Sequence, residues 1–136
     1  MIVKKTFRID MYSHYRIHVI ITDNFEEAIK KHLRKFTMDM DLNNLGGVFI
    51  YNDNNPWEGW ILLPPNASTS TIAHESFHAT ARVMHDIGSK LDGESEEPYA
   101  YLLGYITNQV VIALLAYDKK YPAVEGLEKD ANIDNN

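Results

Sequence analysis

"TIAHESFHAT", residues 71–80, carries two histidines four apart, His74 and His78, with Glu75 beside the first. On an α-helix, positions four apart differ by roughly 40° in azimuth and about 6 Å in height. The two imidazoles therefore share a face and can converge on one tetrahedral cation. Glu75 stands roughly 100° round the same turn, where it can reach a water on that cation without ligating it. The flanks favour a helix. "NASTST" at 66–71 supplies N-cap candidates and Gly88 suits a C-cap, so the pattern predicts a helix from about Thr71 to Ile87. Ala73, Phe77, Met84 and Ile87 group on a face bordering the histidines and are expected to anchor the helix in the core. Arg82 and Asp86 point elsewhere.

Working outward, "VKKTFRI" at 3–9 and "YRIHVIIT" at 15–22 are rich in β-branched and aromatic residues. A polar interval separates them, so they read as a hairpin. In "TDNFEEAIKKHLRKF", Thr22, Asp23 or Asn24 can cap a helix of about three turns, with Phe25, Ile29, Leu33 and Phe36 at helical spacing. Apolar runs at 48–51 and 60–63 flank the turn-rich "NDNNPWEG" and predict a second hairpin, ended by Pro64 and Pro65. After the motif helix, the acidic "SKLDGESEE" leads to Pro98, which suits the first turn of a long final helix. The expected architecture is α+β. A small antiparallel or mixed sheet packs on the motif helix and a long C-terminal helix in one domain over 1–120, followed by a polar tail over 121–136.

Composition narrows the chemistry. The chain has 136 residues, 45% of them hydrophobic, as a globular domain with one core requires. A formal charge of −6, with no basic cluster beyond the amphipathic "KKHLRKF", speaks against nucleic acid. With no cysteine, any metal must be held by His, Asp or Glu. No secretory leader is evident. The most apolar stretch, residues 99–117, is interrupted by Thr107, Asn108 and Gln109 and is expected to be a core helix rather than a membrane span. The expected location is cytoplasmic, with no membrane partner.

"HESFH" is followed after eighteen residues by Glu97, within "EEPYAY". This pattern resembles the gluzincin metallopeptidases, in which two motif histidines and a glutamate from a following helix bind zinc and the motif glutamate activates water. The resemblance implies Zn²⁺ held by His74, His78 and Glu97, with Glu75 as the catalytic base. Glu94 and Glu96 stand close enough to be alternatives to Glu97. The stretch also resembles short zincin-like proteins of phages and prophages, whose motif helix leads into a segment similar to "EPYAYLLG" at 97–104. The likeness covers residues 70–105, about a quarter of the chain.

Other residues carry weaker expectations. Tyr101 and Tyr105 fall four and eight positions after Glu97. A phenol there, Tyr101 above all, can stabilise an oxyanion or orient a ligand, although packing is the plainer role. His85 is too far along the helix to share an ion with His74, and His14, His18 and His32 receive no role. Trp57 and Trp60 are candidates for an apolar lip over the site. In zincins a strand edge before the motif helix aligns substrate, and by resemblance "GWILLP" at 59–64 is that strand. The expected activity is hydrolysis of a peptide or protein substrate. The alternative is a non-catalytic zincin-fold binding protein of phage type.

Overall fold

A computed structural model describes residues 1–9, 12–33, 46–55 and 57–123. Its elements run β1 (Ile2–Ile9), β2 (Tyr12–Thr22), α1 (Phe25–His32), β3 (Val48–Tyr51), β4 (Glu58–Leu63), α2 (Thr69–Asp86) and α3 (Glu96–Lys120). The four strands form one mixed sheet in the order β1-β2-β4-β3. β1 pairs antiparallel with β2, from Ile2↔Thr22 to Ile9↔Tyr12, with a register shift between Arg8 and Ile9. β3 and β4 form the second antiparallel pair. β2 and β4 run parallel, from Arg16↔Glu58 to Ile21↔Leu63. A parallel pair needs a long crossover, and the segment carrying α1 and β3 supplies it. Both expected hairpins are present, and the architecture is a small α+β domain.

The apolar runs in β2 and β4 show how the layers stack. Tyr15, Ile17, Val19 and Ile21 are buried on one face of β2, and His18, Ile20 and Thr22 on the other. Central strands covered on both sides read as continuous apolar sequence rather than as alternation. On one face β2 and β4 meet Ala79 and Val83 of α2 and Ile106, Val110, Ala113 and Tyr117 of α3. On the other, Ile20, Trp60 and Leu62 meet Ala28 and Ile29 of α1 and the adjoining Leu33. The result is three layers, with α1 the helix on one side among the described residues.

The helix ends follow local chemistry. Asn24 caps α1 by accepting the Glu27 amide at 3.0 Å, and Ser68 caps α2 by accepting the Thr71 amide at 3.1 Å. Gly88 ends α2 at φ +80°, a conformation that costs any residue with a Cβ. The Gly88 amide donates to the His85 carbonyl at 3.0 Å and the Ser89 amide to the Met84 carbonyl at 2.8 Å, the paired bonds of a Schellman ending. α1 stops at His32, a turn short of the expected Phe36, which lies outside the described residues.

Two expectations of orientation are corrected. Ala73 is exposed and Phe77 is 44% exposed, so neither anchors α2. The buried stripe is instead Glu75, Ser76, Ala79, Thr80, Val83 and Met84. Small side chains there let α2 lie close to the sheet, and the larger Phe77 is turned outward. β4 is an inner strand paired on both sides, so "GWILLP" presents no open edge. Among the described residues the sheet edges are β1 and β3.

Candidate functional site

α2 brings His74 and His78 together as its geometry requires. Their Nε2 atoms are 3.0 Å apart, with ring centroids at 4.6 Å and planes at 74°. At that separation one ring donates its proton to the lone pair of the other. Two imidazoles on one tetrahedral zinc, each at about 2.05 Å, hold their nitrogens about 3.3 Å apart. The pair thus needs to open by only a few tenths of an ångström to share an ion. His74 is largely exposed, its side chain retaining 65% of its accessible surface, so the approach from solvent is open.

Glu75 occupies the opposite environment. It is 6% exposed, and its Oε1 lies 3.9 Å from His74 Nε2. Burial raises its pKa above the ordinary carboxylate range. The neighbouring His74 and His78 and the backbone N–H of Phe49, which donates to the carboxylate, pull the other way. β3 therefore holds Glu75 in place. Its lead-in must pass close to α2: a Cβ on Gly47 would stand 2.7 Å from Leu63 Cδ2, 2.9 Å from Thr71 Cγ2 and 3.2 Å from Glu75 Cγ. Sequence reading missed both the Phe49 contact and the need for glycine at 47, because each depends on β3 lying over the start of α2.

The remaining candidates lie elsewhere. Glu97 sits in the first turn of α3 and lines a cavity of about 550 Å³ with Met84, Tyr101 and Tyr105. Met84 is six residues beyond His78, roughly 9 Å further along α2. Among the described residues, no three His, Asp or Glu side chains gather into a group able to hold a metal, so Glu97, Glu94 and Glu96 are not brought to the imidazole pair. Tyr101 is 77% exposed in the same cavity. Tyr105 donates to the Arg8 carbonyl at 3.1 Å, and its ring meets Phe7 edge-on.

The tryptophans form no lip over the histidines. Trp60 is on the α1 side of the sheet, stacked on His18 with centroids 5.3 Å apart. Trp57, at φ +75°, packs edge-on to His14 and Tyr15. The Tyr15 hydroxyl in turn donates to Asp86, at the far end of α2 from His74.

Two polar networks carry no signature in the sequence. His18 lies between Thr6 Oγ1, at 2.8 Å from Nδ1, and Glu58 Oε1, at 2.6 Å from Nε2. Arg82 bonds Asp53 at 3.0 Å, pairs with Asp86 and lies 4.1 Å from the centre of the Tyr51 ring. This second network clamps the β3–β4 hairpin to α2. No protein-family model, curated protein or solved structure matches the chain.

Proposed function

We propose that the chain is a cytoplasmic zinc-dependent hydrolase of peptide bonds, with His74 and His78 as metal ligands and Glu75 as the general base. The observation that supports this most is the convergence of the two Nε2 atoms at 3.0 Å beside a buried carboxylate. Zinc held by the pair would supply a positive charge that acidifies water and polarises a carbonyl. Glu75 takes a proton from the attacking water on its carboxylate and delivers it to the leaving amine. A raised pKa suits that task, since the base must hold the proton long enough to pass it on. The Phe49 amide keeps the carboxylate aimed while it changes charge. The peptide is expected to lie along β3, the open sheet edge beside Glu75, in place of the inner β4. Glu97 keeps company with the cavity rather than the imidazoles, so this reading rests on His74, His78 and Glu75.

Metal content by mass spectrometry on untagged protein tests the site. Near one zinc per chain, lost in His78→Ala, is the expected result; a chain that takes up none from micromolar zinc would end the proposal. Peptide cleavage tests the chemistry. Glu75→Gln is expected to keep its zinc while turnover falls at least about 100-fold, the usual contribution of a positioned base. Undiminished turnover in that variant would remove Glu75 from the mechanism. That no third ligand stands beside the pair among the described residues favours a second reading, a metal-binding module that docks to protein without cleaving it. Zinc at full occupancy with no cleavage of any peptide in a random library would establish that one.

A further inference from the structure

We propose that the cavity between the start of β2, the carboxyl end of α2 and the first turns of α3 binds a small organic cation, an ammonium group carried on an apolar body. The cavity measures about 550 Å³, within the range of small-molecule sites. Tyr12, Tyr101 and Tyr105 contribute three phenol rings, and Met84 and Leu102 add apolar surface. Among the described residues that line it, Glu97 is the one that carries a charge. An aromatic face attracts a cation through its quadrupole, and several faces together form the cages that recognise alkylated ammonium groups. The carboxylate selects the same sign of charge. Glu97 has no ion-pair or hydrogen-bond partner among the described residues.

Other ligand classes fit less well. A neutral apolar ligand would gain nothing from Glu97, whose exposed carboxylate stays hydrated beside it, whereas a cation is attracted by that charge. An anion would meet Glu97 together with Glu94 and Glu96 at the same helix start. One side of the cage is built in advance, because the Tyr105 hydroxyl is tied to the Arg8 carbonyl and its ring is packed on Phe7. Tyr101, 77% exposed, is free to close over an occupant. A shallower groove of about 480 Å³ continues past Ala100 and Gly104 and gives the apolar body room to extend.

This site stands apart from the imidazole pair and does not require the metal reading. The test is a calorimetric titration of the full chain with choline and with 3,3-dimethyl-1-butanol, which replaces the cationic nitrogen by carbon at nearly the same shape. Choline is expected to bind at least about threefold more tightly than the alcohol, the preference that aromatic faces open to water give a cation. Glu97→Gln should erase that preference while leaving zinc content unchanged, and Tyr101→Ala should weaken choline several-fold. The His78→Ala protein should bind choline as the parent does, so that loss of zinc is read separately from loss of the cage. Equal binding of the two probes, or binding of neither, would overturn the proposal. So would loss of zinc in Glu97→Gln, which would make Glu97 a metal ligand.

Discussion

Glycine 47 shows how closely the candidate site is packed. A Cβ there would stand closer to Leu63 and Thr71 than packed carbons come, and in tight contact with Glu75. Gly47→Ala is therefore expected to cost about 1–3 kcal/mol through overpacking, and to disturb Glu75 as the chain yields. Urea unfolding gives the first quantity, and the pH profile of peptide cleavage the second. A variant as stable as the parent would show that the β3 lead-in moves aside easily. Gly88 tests a different property, since nothing lies within 4 Å of the Cβ it lacks but its φ is +80°. Gly88→Ala should cost about 1 kcal/mol from backbone conformation alone, read as a lowered Tm. At this scale His74, His78, Glu75 and Gly88 were legible in the sequence, because each belongs to one helix whose geometry is local. Gly47 and the Phe49 amide were not, because their importance comes from an element twenty to thirty residues away.

At the scale of elements, the His18 line across β1, β2 and β4 makes stability depend on pH. Burial lowers the pKa of His18 below its usual value, and the facing cations Lys4 and Arg16 act in the same direction, against the raising effect of Glu58. The folded state thus binds a proton at His18 less readily than the unfolded chain does. Stability from this group is full above the unfolded pKa of about 6.5 and is lost as pH falls below it. His32 is shifted the same way, by burial and by Lys4, Lys31 and His18. The urea midpoint is expected to drop between pH 7.5 and 5.5, and His18→Asn should flatten part of that slope. An unchanged slope in the variant would assign the effect elsewhere. Both hairpins and all three helices could be read from turn residues, caps and apolar runs. The burial of Trp60 and the outward turn of Phe77 could not. Apolar spacing shows that a helix or strand has a buried face, but which face is buried depends on what packs there.

For the whole molecule, α3 decides how the sheet is covered. By length and composition it could cross a membrane, yet Tyr99, Ile106, Val110, Ala113 and Tyr117 turn one face to the protein interior. Val111, Ile112 and Leu115 are exposed on the opposite side. Ile106→Ala is expected to cost about 2–5 kcal/mol by opening a cavity. Leu115→Ala should stay within about 0.5 kcal/mol, as a surface change does. Equal losses in the two variants would mean that the outer face of α3 is also packed in solution.

By itself, the sequence determined the α+β class, the order and type of the elements, the Gly88 ending of α2 and the pairing of His74 with His78. Each of these is written in neighbouring residues, through backbone preference, capping and the 3.6-residue period. Only the tertiary structure decided that β2 and β4 run side by side, that β3 is the sheet edge beside Glu75 and that Glu97 faces the tyrosine-lined cavity. Those outcomes depend on which surfaces exclude water together once the layers close. That balance is struck among residues far apart in the chain, and no local pattern records it.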